Sequence, residues 1–237
     1  MVTESFDWTF VLAAIPKLAG ALPLTLGIAV VSMIAGCLVG LLLTFGKLSR
    51  FRLVRVVVNE ATAIVRGIPT IVLLYLSYFA LPFVIYRITG QNISGWSKSF
   101  FVVVTLGTEL AVTCSEMFRS AYNSLDKGQL EAAHSIGMTR VQRFFHIILP
   151  QGLYVILPNL GNAALAVIQG TALAYTLGVM DVMGKANVLN TNAFGLKTLE
   201  AFVVVALLYW GISLLLNLLF RLLERWFGRG QVPVAAV

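Results

Sequence analysis

Apolar side chains fill five long runs of the chain, and polar residues gather in the shorter stretches between them. The runs cover residues 21–45, 56–85, 100–121, 152–179 and 198–219. Each reaches the ~20 residues a helix needs to cross a bilayer, so the pattern predicts five membrane-spanning helices. Residues 1–17 read as an interfacial lead-in, with Phe6, Trp8 and Phe10 as headgroup anchors. In the first run Gly36 and Gly40 form a small-xxx-small pair, a spacing that lets helices approach closely. The second run is interrupted at Arg66-Gly67-Ile68-Pro69. Proline disturbs the helix at the residue before it, and glycine weakens it further. A polar loop over residues 181–197 joins the fourth run to the fifth.

Residues 126–150 break this rhythm. Asp126 and Gln129 sit three apart, a start signal for a short helix. Ala132 and Ala133 carry little side chain, so a second surface can come close to that helix. Gly137 reads as its left-handed stop. Thr139 and Gln142 repeat the capping spacing and open a second short helix. There Val141, Phe144, Phe145 and Ile148 fall on one apolar face suited to a membrane surface, with Arg140 and Arg143 off it. Pro150 is expected to end this helix. On spacing alone, the pair is either an ordinary interfacial connection or an element built to meet a partner.

Composition narrows the class. Charged residues make up 11% of the chain, where a soluble domain carries about 25%. A single soluble globule is excluded. The net charge of +7 would point to nucleic acid on a soluble protein. Here the cations flank apolar runs, so membrane topology and lipid headgroups explain them, and no nucleic-acid partner is implied. Lys47, Arg50, Arg52, Arg55, Arg119, Lys127, Arg140, Arg143, Arg221, Arg225 and Arg229 fall on one side of the five-span arrangement. Lys17, Arg87, Lys98, Lys185 and Lys197 fall on the other. The richer side is cytoplasmic by the positive-inside rule, which puts the N-terminus outside, the C-terminus inside and residues 126–150 in the cytoplasm. No cleavable leader is expected, since Glu4 and Asp7 stand where a basic start belongs.

Candidate chemistry is sparse. Gly40 to Gly46-Lys47 has the wrong spacing for a phosphate loop, with Leu48 where magnesium needs Ser or Thr, and Gly184-Lys185-Ala186 fails likewise. Both are expected to be membrane-edge turns. His134 and His146 lack metal-site spacing, and Cys37 and Cys114 lie within apolar runs with no disulfide expected. Neither catalytic residues nor a metal are implied. Glu109 lies near the middle of the third run. A carboxylate there costs about 2.5–3.5 kcal/mol on insertion scales, so it faces either a cavity or a structural partner such as Asn or Gln. Glu116 and Arg119 are spaced for an i, i+3 salt bridge. Asn162, Gln169 and Thr171 either line a path or join helices by hydrogen bonds. A helix broken at Gly67 and Pro69 exposes amide ends that suit a carboxylate, placing Arg66 and Thr70 beside a candidate path.

One resemblance ties these stretches together. Glu131-Ala132-Ala133, Gly137 and Ile147-x-Leu149-Pro150 match the EAA loop of ABC importer permeases. Arg66-Gly67-Ile68-Pro69, Glu116-Met117-Phe118-Arg119, Leu157-Pro158-Asn159-Leu160-Gly161-Asn162 and Gly170-Thr171-Ala172-Leu173-Ala174 resemble signatures of the polar amino-acid branch. Gly178 to Ala186 and Tyr209-Trp210 are similar to cystine-type permeases. The likeness covers residues 21–225 of one domain spanning 1–237. Gln169 and Ala172 depart from the lysine and serine usual in the branch.

The resemblance implies an all-α inner-membrane permease subunit with a cytoplasmic two-helix coupling loop over 126–150. Glu131, Ala132, Ala133, Ser135, Gly137 and Arg140 would meet an ATPase. It also implies two ATPase subunits carrying ATP and magnesium, a second permease subunit (identical or a paralogue), an extracytoplasmic solute-binding protein and an amino-acid substrate. Arg66, Gly67, Pro69, Thr70, Glu109, Asn162, Gln169 and Thr171 would mark the substrate path. Two rivals are an ion-coupled secondary transporter or channel, with Glu109 as the ion site, and a non-transporting anchor for an ATPase.

Overall fold

The computed structural model describes residues 6–227, so the first five residues of the lead-in and Arg229 lie outside the described part. Nine helices make up the described chain: α1 Trp8–Ala19, α2 Leu22–Lys47, α3 Arg52–Gly67, α4 Thr70–Thr89, α5 Lys98–Asn123, α6 Lys127–Ser135, α7 Arg140–Leu177, α8 Val182–Asn192 and α9 Thr198–Phe227. Five of them, α2, α4, α5, α7 and α9, are long and apolar enough to cross a membrane.

α5 is the most enclosed of the five, with 56% of its most apolar stretch buried against 11–39% in the others. Its Phe101, Val102, Leu106, Leu110 and Cys114 are buried. α2 lies against it along Gly36 and Gly40, the small-xxx-small pair. A Cβ at Gly36 would stand 2.8 Å from the Leu110 Cβ, and one at Gly40 2.6 Å from the Cys114 Cβ. The pair therefore brings two helices of one chain together. Ile28, Ala163, Val167 and Ile168 complete this main core. Leu38, Leu42 and Phe45 of α2 face outward, as a lipid-facing surface does. Cys37 and Cys114 remain free thiols, with their Sγ atoms 3.7 Å apart.

Four expectations change. The second apolar run is two helices rather than one interrupted span. Ile68 and Pro69 are extended, with ψ of 127° and 140°, and the spanning helix starts only at Thr70. Proline excludes the residue before it from helical geometry, which forces the corner. α3, before the corner, is amphipathic.

Pro150 does not end a helix. It sits in the first turn of the regular helix that follows a π-turn over Phe144–Ile148, where its missing N–H costs nothing. α7 therefore runs unbroken from the polar stretch into the fourth span and ends in a 3₁₀ turn over Ala172–Leu177.

The loop over 181–197 is largely helical, and Gly184-Lys185-Ala186 lies inside α8 rather than in a turn. Asp181 caps α8, its Oδ1 accepting from the Gly184 amide at 2.8 Å. Burial pushes that carboxyl above the usual carboxylate range.

The lead-in is no mere surface anchor. Val11, Ala14 and Leu18 of α1 are buried against Val182 and Ala186 of α8 and Val204 and Val205 of α9, a second small core. Only Trp8, 67% exposed, keeps the anchor role open. Asp7 clips this end together. Its carboxylate accepts from the Thr9 and Phe10 amides and pairs with Lys197 at 3.1 Å, and its own amide donates to Glu200. The Thr9 side chain first, then the Phe10 amide and Lys197, hold that carboxyl well below the usual range.

Candidate functional site

Local rules build the stretch after α5. Asp126 accepts from the Gly128 amide at 2.8 Å and starts α6. Gly137 ends it at φ +79°. The Met138 amide returns to the Ala133 carbonyl and the Gly137 amide to the His134 carbonyl, both at 3.0 Å, so the released carbonyls are satisfied as in a Schellman turn. Thr139 and Gln142 form a complete capping box that opens α7. Gln151 donates to Gln129 at 2.7 Å and pins α6 to α7.

The outcome is a knuckle whose outer surface presents Glu131, Ala132, Ser135, Ile136, Gly137 and Arg140. Ile136 is 78% exposed, and Val141, Phe144 and Phe145 are exposed beside it. Ala133 departs from expectation. It is 4% exposed and packs inward, so of the two alanines only Ala132 lies open to a second surface.

A cavity of about 590 Å³ opens where α3 meets α4. Arg66, Thr70, Glu109, Thr113 and Gln169 supply its polar lining, and Leu106, Leu110, Val167 and Leu173 its apolar walls. The Glu109 carboxylate therefore faces a cavity, which it shares with Thr70 of α4 and Gln169 of α7. The cavity thus gathers four of the eight expected path residues. Gly67 and Pro69 shape the corner without lining it. Asn162 is exposed elsewhere on α7. Thr171 is buried and joins helices, donating to the Ile168 carbonyl at 2.6 Å and lying 3.3 Å from the Tyr209 hydroxyl.

Nearer the knuckle, Glu116 collects three cations. Lys47 reaches its Oε1 at 2.8 Å and Arg66 the same oxygen at 3.3 Å, while Arg119 forks onto Oε2 through Nη2 at 2.7 Å and Nε at 2.9 Å. The expected Glu116–Arg119 bridge is therefore one part of a network. The Lys47 side chain is fully buried, held also by the Ser115 hydroxyl at 2.8 Å. Removing the one carboxylate strands that ammonium. Glu116→Gln is expected to cost about 2 kcal/mol, below the buried-pair range because Glu116 is part-exposed. A lowered melting temperature of the purified protein checks this, and an unchanged one contradicts it.

Residues 32–229 match the family described as the inner membrane component of binding-protein-dependent transport systems. The chain belongs to this family. It is a multi-pass inner-membrane permease of the ABC type. The permease is 34% identical to the probable amino-acid permease YxeN of Bacillus subtilis, over 94% of this chain and 96% of that one. It is 30% identical to the L-cystine transport system permease TcyL of the same organism, over 99% and 97%. Its fold matches a solved amino acid ABC transporter crystallised with histidines at a TM-score of 0.79 and 26% identity, covering 94% and 99% of the two chains. The MetNI methionine transporter, at 19% identity and a TM-score of 0.65, shares the fold.

Two features of the permease escaped the sequence. Thr113 lines the cavity one helical turn after Glu109, a spacing that marks it in retrospect. Lys47 looked like a membrane-edge charge and proves to be a buried partner of Glu116. No local signal joins residues 69 positions apart.

Proposed function

We propose that this permease carries a polar amino acid across the inner membrane by alternating access, driven by ATP hydrolysed on separate subunits. The observation that carries the reading is the cavity at the helix corner, with a carboxylate on its wall and a guanidinium at its rim. A free amino acid brings both an ammonium and a carboxylate. Glu109 faces the first. Arg66 and the amides opening α4 at Thr70 face the second. Gln169, neutral where the branch usually has lysine, leaves the cavity without a second cation on that wall.

The chain acts as one domain with its N-terminus outside, so the knuckle meets the cytoplasm. Glu131, Ala132, Ser135, Gly137 and Arg140 form its docking surface, with Ala133 supporting them from within. Two ATPase subunits, which carry the ATP and magnesium themselves, dock there. A second permease subunit completes the pathway, and an extracytoplasmic binding protein delivers the solute. Closure of the ATPases moves the knuckles, and their differing contacts in the two states transmit the work.

The test is Glu109→Gln in vesicles containing the assembled importer and its binding protein. L-Cystine is the first solute, given the likeness at Gly178–Ala186, followed by arginine and glutamine. Uptake and solute-stimulated ATP hydrolysis are expected to fall at least about tenfold, the scale of one charge-assisted contact, with assembly unchanged. Full uptake by the variant refutes the role of Glu109. Uptake without ATP refutes the importer reading.

A further inference from the structure

A second cavity, of about 350 Å³, lies at the knuckle end of the bundle and is lined by Lys47, Arg55, Asn59, Thr62, Ala63, Arg66, Glu116 and Arg119. Four of these side chains are cationic and one is anionic, so the cavity carries three uncompensated positive charges. Lys47, Arg66 and Arg119 share the single carboxylate. The Arg55 side chain has neither an ion pair nor a hydrogen bond among the described residues. Like charges gathered at a membrane edge repel one another, and an anion entering among them offsets that repulsion.

The helix that brings Arg55 there is built for the membrane surface. On α3, Arg55, Asn59, Thr62, Ala63 and Arg66 fall at helical spacing on one face, which lines the cavity. Leu53, Val57 and Ile64 fall on the opposite face and are exposed. A helix of this kind lies with its apolar face among acyl chains and its polar face at headgroup depth. The cavity volume is at the small end of the ~300–1,000 Å³ usual for ligand sites, suited to a headgroup rather than a whole lipid.

We infer that this cavity is a binding site for a phosphate ester anion, supplied by the headgroup of an anionic phospholipid in the leaflet on the knuckle side. Guanidinium forks match phosphate oxygens in pairs; Arg55 offers an uncommitted fork, and Arg66 and Arg119 keep N–H donors beyond those that Glu116 takes. Basic pockets between membrane helices suit such headgroups. Arg66 lines both this cavity and the one holding Glu109, so headgroup occupancy bears directly on the guanidinium at the rim of the larger cavity.

The test titrates the full-length permease, purified in a neutral detergent, and reads its melting temperature. The probes are short-chain phosphatidylglycerol, short-chain phosphatidylcholine and inorganic phosphate. Phosphatidylglycerol is expected to raise the melting temperature saturably and less so at high salt, with phosphatidylcholine inert. Arg55→Gln, which breaks no side-chain hydrogen bond or ion pair, should need about tenfold more phosphatidylglycerol for the same shift. Arg225→Gln, outside the cavity, should respond as the wild type does. Equal stabilisation by inorganic phosphate, also blunted by Arg55→Gln, keeps the site and makes its source a soluble phosphate. No shift with either anion, or one that Arg55→Gln leaves unchanged, overturns the assignment.

Discussion

Gly137→Asp is expected to leave membrane insertion and folding intact while abolishing solute-stimulated ATP hydrolysis in reconstituted vesicles. The two halves of that result have separate causes. At φ +79° the position suits glycine, but a Cβ there would meet nothing within 4 Å. Aspartate tolerates the left-handed region better than most residues, at a cost of about 1–2 kcal/mol. The Schellman bonds at Met138 and Gly137 are backbone bonds and survive. Function fares differently. The new carboxylate stands on the outer surface beside exposed Ile136, where the ATPase is proposed to seat. Docking would strip water from an unpaired charge, a penalty of several kcal/mol, and each 1.4 kcal/mol is tenfold in occupancy. Normal stimulation by the variant would show that the knuckle does not dock.

A large loss of stability is expected from filling the helix contact at Gly40. A Cβ there would lie 2.6 Å from the Cys114 Cβ and 2.8 Å from the Ala111 carbonyl oxygen. Neither is the free end of a flexible side chain, so α2 and α5 must separate. Overpacking costs typically 1–3 kcal/mol, and this contact joins the most enclosed helix to its main neighbour. Gly40→Val is expected to cost at least about 3 kcal/mol and to remove most of the monodisperse protein seen on size-exclusion chromatography. Gly27→Val is the control, since a Cβ at Gly27 meets nothing within 4 Å. Equal yields from the two variants would refute the close helix contact.

What the sequence disclosed was local. The caps at Asp126 and Thr139, the stop at Gly137 and the corner at Pro69 each depend on a few adjacent residues, and each stands where the spacing placed it. Apolar runs of sufficient length marked five spans, because the bilayer sets that length whatever the tertiary packing. α8 was missed because its stability comes from Val182 and Ala186 packing on α1 and α9, not from a periodic pattern of its own. Pro150 misled because a proline at a helix's first turn and one beyond its end look alike in sequence. At the cavity, Glu109 and the helix corner were legible as costly departures from an apolar span. Asn162 and Thr171 were not separable from Gln169, since which side of α7 opens onto the cavity depends on how α5 and α3 meet it.

The unbroken course of α7 through Pro150 bears on how force would travel. At about 1.5 Å per residue, its 38 residues make a lever about 57 Å long, with one end in the knuckle and the other beyond the cavity wall. Swung as one body by about 5°, it would sweep its far tip through about 5 Å, roughly one helical turn. The π-turn over Phe144–Ile148 sits near the handle, and Ala163, Val167 and Gln169 lie well along the lever. If the knuckle takes the push as proposed, a small tug at the handle would be geared up into a much larger stroke at the solute.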